Sequence, residues 1–105
     1  MLVPEGAVGR DVVPPAPPSG LAVVPREGAL EVVWSPSPDA GLDGYRVYRW
    51  VDEGERELVA EIAAGTTTWL DDTGQGGILY RYTVTAVDAA GNEGPASGVA
   101  EGIRP

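Results

Sequence analysis

The stretch Tyr80-Arg81-Tyr82-Thr83-Val84-Thr85-Ala86-Val87-Asp88-Ala89-Ala90-Gly91-Asn92-Glu93-Gly94-Pro95-Ala96-Ser97 decides the fold of this chain. Tyr80, Tyr82, Val84 and Ala86 share one parity and are apolar enough to line a core. The interleaved Arg81, Thr83 and Thr85 are polar or β-branched. A period of two over that length is a β-strand with one buried face. The Gly and Asn that follow mark a turn, and Val99 opens a further short strand.

Upstream of that stretch, short strands recur roughly every 10 residues, each ended by Gly, Pro or Asp, a spacing that favours a sandwich or barrel. Leu21 and Val23 open the first strand and Pro25 ends it. Leu30, Val32 and Trp34 alternate inward before the stop Ser35-Pro36-Ser37-Pro38. Tyr45 and Val47 share one face of the third strand, with Arg49 on the same parity. Arg46, Tyr48 and Trp50 share the other. Asp52-Glu53-Gly54-Glu55 reads as a hairpin turn into a strand over Arg56 to Ile62. A strand over Thr66 to Asp71, the loop Gly74-Gln75-Gly76-Gly77, a strand over Ile78 to Asp88 and a last one over Ala96 to Glu101 complete seven. No segment carries a helical period, so the chain is all-β.

Composition bounds the rest. At 105 residues the chain is one domain plus a tail. It has no cysteine, which excludes disulfides and thiolate metal sites, and no histidine, the commonest general base and transition-metal ligand. A formal net charge of −9 disfavours nucleic acid and anionic membrane surfaces as partners. No apolar run approaches the roughly 20 residues of a membrane span. Residues 1–9 lack the basic and apolar regions of a signal peptide. Pro4, Pro14, Pro15, Pro17 and Pro18 give residues 1–18 an extended polyproline character. That segment reads as a semi-rigid linker, its first nine residues expected to be disordered, and residues 19–105 as the domain.

Several segments then carry a resemblance. Asp11 to Leu21 fits the pattern D-x-x-P-P-x-x-P-x-G-L, Leu30-Glu31-Val32-Val33-Trp34 a second strand with a core tryptophan, and Gly44-Tyr45-Arg46-Val47-Tyr48-Arg49 a third. With Tyr80 to Ser97 as the sixth strand and its loop, residues 11–102 resemble a fibronectin type III domain of the bacterial branch. The resemblance implies a seven-stranded, two-sheet Greek-key sandwich of the immunoglobulin-like kind. It places Trp34, Tyr45, Tyr80, Tyr82 and Val84 in the core, and Tyr80 at a tyrosine corner whose hydroxyl bonds to backbone just upstream. The family usually has a leucine in the loop before that tyrosine, where this chain has only Gly and Gln. Ile78, Leu79 or Leu70 is left to fill the space, and the register of Trp69 against Leu70 stays open. The resemblance also implies tandem arrangement beside neighbouring domains and an extracellular or envelope location. The family's Arg-Gly-Asp adhesion motif is missing from Asp88 to Gly94.

For chemistry, carboxylates, hydroxyls and Arg are what the chain offers. The acidic cluster Asp52, Glu53, Glu55 and Glu57 lies on a hairpin tip with no cleft to raise a pKa, so no catalytic residue is assigned and the chain is not expected to be an enzyme. Asp39 with Asp43, Asp71 with Asp72, and Asp88 with Asn92 offer oxygen donors on loops. They lack the dense alternation of a calcium loop and read as turn residues, so no metal or cofactor is assigned. The remaining candidate is a surface: Arg46, Tyr48, Trp50 and Arg81, with Thr83, Thr85 and Val87 beside them, directed to solvent. An exposed Tyr–Trp pair flanked by arginines suits a polysaccharide or a protein partner. The competing reading is cross-strand cover, with Arg stems lying over the aromatic faces or the linker folding back across them. The expected role is a monomeric, non-catalytic spacer or protein-interaction module in a larger bacterial protein, the binding module being the alternative.

Overall fold

A computed structural model describes residues 13–105; Asp11 and the nine residues expected to be disordered lie outside the described residues. Seven strands run in order: β1 (Ser19–Arg26), β2 (Ala29–Ser35), β3 (Leu42–Trp50), β4 (Glu57–Ala63), β5 (Thr68–Asp71), β6 (Leu79–Asp88) and β7 (Ala100–Ile103). They form two antiparallel sheets, β1-β2-β5 and β4-β3-β6-β7, packed face to face. The inward alternation of each strand supplies the core. Leu30, Val32 and Trp34 of β2 meet Tyr45 and Val47 of β3 and Tyr80, Tyr82, Val84 and Ala86 of β6. Trp34 and Tyr45 pack edge to face, with ring centroids 5.5 Å apart. Burying such a set of large side chains is the main stabilising contribution, at roughly 1.5–3 kcal/mol each before entropy is counted.

Strand limits differ from the sequence reading where proline or cover intervenes. β1 does not stop at Pro25: that residue pairs with Leu30 and the strand continues to Arg26. β1 is an edge strand, where a residue lacking an N–H is tolerated. β7 starts at Ala100, four residues later than expected, because Pro95 cannot donate to a ladder and residues 93–98 follow β6 irregularly. In β5, Trp69 packs against the core and Leu70 is 53% exposed.

β6 departs most. Its second parity was expected outward, yet Thr83, Thr85 and Val87 are as buried as the core residues between them. The cover is residues 93–97, which run along β6: the Gly94 N–H donates to the Ala86 carbonyl at 2.9 Å and the Ser97 N–H to Val84 at 2.9 Å. The Thr83 hydroxyl donates to the Ser97 carbonyl and the Val84 N–H to the Ser97 hydroxyl.

The Tyr80 hydroxyl accepts the Gln75 N–H at 2.8 Å. Gly74 lies flat against the Tyr80 ring, where a Cβ would sit 2.7 Å from the nearest ring carbon. Ile78 packs against the core beside it. The loop without a leucine therefore closes by a glycine–ring contact.

Candidate functional site

β3 and β6 pair in regular register over the candidate face, with Arg46 opposite Thr85, Tyr48 opposite Thr83 and Trp50 opposite Arg81. The structure thus brings Arg46, Tyr48, Trp50 and Arg81 together on one side of the four-stranded sheet, all half-buried. Each is already engaged. Glu93, from the loop after β6, places its carboxylate over the face and accepts from Arg46 at 2.8 Å, the Tyr48 hydroxyl at 2.5 Å and the Thr85 hydroxyl at 2.7 Å. The Arg56 guanidinium stacks on Trp50, 4.3 Å from the ring centroid. Arg81 donates to Glu101 and to the Asp52 carbonyl.

The electrostatics follow from that geometry. Partial burial works to raise the Glu93 pKa, but the hydrogen bonds from Tyr48, Thr85 and Arg46 outweigh it and hold the carboxyl below the usual range. Burial, and then the Glu93 carboxylate, push the Tyr48 hydroxyl up. The hydrogen bond to Glu93 raises Arg46 further. Within this set the Arg46 and Glu93 charges pair, and Arg46 also lies 3.6 Å from the exposed carboxylate of Glu61.

A second polar cluster crosses the interior. Asp71, at the end of β5, is 1% exposed and bridges the two sheets. Its carboxylate accepts from Arg49 at 2.9 Å, from the Tyr82 hydroxyl, and from both the N–H and the hydroxyl of Thr73. Arg49 and Tyr82 are cross-strand partners, and the Arg49 guanidinium also lies 4.7 Å from the Tyr80 ring centroid. Desolvation works to raise the Asp71 pKa, yet its hydrogen bonds, from Tyr82 first, keep it below the ordinary carboxylate value. Burial, and then Asp71, push the Tyr82 hydroxyl far above the ordinary tyrosine range. The cluster ties the three-stranded sheet to the four-stranded one.

Neither Glu93 nor the Asp71 cluster stood out in the sequence as a set. The one signal was Arg49 sharing parity with Tyr45 and Val47, since an inward arginine requires an inward carboxylate. Of the other acidic pairs, Asp88 accepts from the backbone of Ala90 and Asn92, and Asp39 accepts the Ala16 N–H at 2.8 Å. Among the described residues, no three acidic side chains converge as a metal ligand set, and no helix is long and apolar enough to cross a membrane.

Comparison with known proteins agrees with this architecture. No family model matches the chain. It is 37% identical over 87 residues to an amylopullulanase of Thermoanaerobacterium saccharolyticum, an alignment covering 81% of this chain and 6% of that protein. It is 36% identical over 92 residues to exoglucanase B of Cellulomonas fimi, covering 83% of this chain and 8% of that one. Among solved structures, an Fn3-like protein from Clostridium thermocellum superposes with a TM-score of 0.75 at 28% identity, over 89% of this chain and 96% of that one. The chain therefore spans less than a tenth of the length of these curated relatives.

Proposed function

The chain is a fibronectin type III domain, and from that premise we propose that it works as a non-catalytic module spacing or joining the domains of a larger bacterial protein. The observation that carries this reading is where the backbone arrives and leaves. Pro15 lies against Gly94, beside the far end of β6, and Arg104 is tied to Gly74 and Gly77, beside its start. The two poles are separated by the length of β6, which at 10 residues is about 30 Å. A sandwich anchored at both poles transmits distance and orientation between whatever it joins. Its relatives are named for action on glucan polymers, which supports a place in an extracellular or envelope protein that handles polysaccharide. The Arg46–Glu93 pair and the Arg56 stack on Trp50 leave the aromatic face engaged within the chain, which favours the spacer over a glycan-binding module.

The test is a tryptophan-fluorescence titration of the chain with soluble polysaccharides, beside Trp50→Ala. The spacer reading expects no saturable change. Saturable quenching that vanishes in Trp50→Ala overturns it in favour of a binding face built on Arg46, Tyr48, Trp50 and Arg81.

A further inference from the structure

We infer that residues 13–18 are a docked strap, caught by Asp39 and seated on Gly94, which fixes the direction in which the backbone joins the sandwich. The inference deepens the spacer reading and takes its purpose from it, but docking is a property of this chain alone.

The run Pro14-Pro15-Ala16-Pro17-Pro18 contains a single backbone N–H, that of Ala16. A free polyproline linker would leave that donor to water. Here it donates to Asp39 Oδ2 at 2.8 Å. Pro15 and Pro18 are buried although both belong to a segment that reads as a linker. The seat is specific: a Cβ on Gly94 would lie 2.0 Å from the Pro15 carbonyl oxygen, so no other residue leaves room for the strap.

The catch is held from below. The Asp39 N–H donates to the Ser37 hydroxyl, and the Ser37 N–H donates to the hydroxyl of Tyr45, a core residue. The Gly41 carbonyl accepts the Ala89 N–H at 3.3 Å, tying the loop after β2 to the loop after β6. Strap, both loops and the end of the core thus form one body. Because proline has already fixed φ at four of the five positions 14–18, ordering them costs little conformational entropy.

Amide hydrogen exchange on the 105-residue chain tests this, with Trp34, whose N–H donates to Thr67, as the reporter of the intact sandwich. In the unmodified chain the Ala16 amide is expected to be protected. Asp39→Ala and Gly94→Ala are each expected to cut that protection by about fivefold or more, with Trp34 unchanged. An Ala16 amide exchanging at the rate of a free peptide, or protection that survives Asp39→Ala, overturns the strap. If Gly94→Ala also loosens Trp34, Asp39→Ala alone decides. A protected Ala16 in a chain that also binds polysaccharide would leave the strap standing and remove the spacer reading.

Discussion

Replacing Asp71 by Asn tests the interior tie between the sheets. The side chain keeps its size but loses its charge, and four donor groups lose a carboxylate. The largest effect falls on Arg49, whose side chain is only 15% exposed and whose other carboxylate neighbour, Glu57, lies at 3.9 Å on the surface. Removing one partner of a buried pair costs about 3–5 kcal/mol, because the other charge stays desolvated without compensation. Arg49 keeps some solvent and its contact with Tyr80, so the lower end, about 3 kcal/mol, is expected. For a domain of this size that lowers Tm by roughly 12–24 °C. Urea unfolding followed by tryptophan fluorescence measures it, and Arg49→Met/Asp71→Leu provides the comparison. The double variant should lose less than Asp71→Asn, since it removes both charges together. The folded-state pKa of Asp71 is depressed, so its contribution is present above the unfolded value of about 3.9 and is lost as pH falls through the lower folded value. The gap between wild type and Asp71→Asn should therefore close in strong acid. An Asp71→Asn variant within about 0.5 kcal/mol of wild type at neutral pH, the range of ordinary surface changes, contradicts a stabilising Asp71–Arg49 tie.

Three further outcomes follow from the same contacts. Gly74→Ala should destabilise by about 1–3 kcal/mol, because its methyl overlaps the Tyr80 ring, and chemical shifts of the Tyr80 ring and the Gln75 amide should move together. Glu93→Ala leaves the buried Thr85 hydroxyl without its acceptor and should cost about 1–3 kcal/mol, with faster exchange at the Gly94 and Ser97 amides than at Trp34. In alkali, Tyr82 should stay protonated until the sandwich opens. Its folded pKa is raised, so the stability it contributes is full below the unfolded value of about 10 and is lost as pH rises beyond it. Tyrosinate absorbance should include a late step coincident with unfolding that disappears in Tyr82→Phe; ionisation of Tyr82 ahead of unfolding would contradict the buried tie.

The fold was legible because periodic side chains wrote it. Leu30, Val32 and Trp34, Tyr45 and Val47, and the Tyr80 to Ala86 set alternate cleanly, and the sheets form along those faces. The second face of β6 was not legible, since its cover comes from Glu93 to Ser97, a segment with Gly94 and Pro95 and no period of its own. Arg46, Tyr48, Trp50 and Arg81 could be placed on one face by parity alone. That Glu93 would reach across to Arg46 depends on a loop path that pattern does not encode. Asp71 read as a turn residue because aspartate at a strand end usually is one. Its burial depends on Arg49 and Tyr82 arriving from the opposite sheet, a contact between residues 22 and 11 positions away.

A spin-label distance across the sandwich shows whether it is a stiff module anchored at both poles. The chain has no cysteine, so labels at Val13→Cys and Pro105→Cys, both exposed positions, report without background. A single narrow distribution, centred about 30 Å apart plus the reach of the labels, is the result expected for a spacer. A broad or multiple distribution in the folded chain would contradict it, showing that the sandwich does not hold the backbone on either side of it in fixed relation.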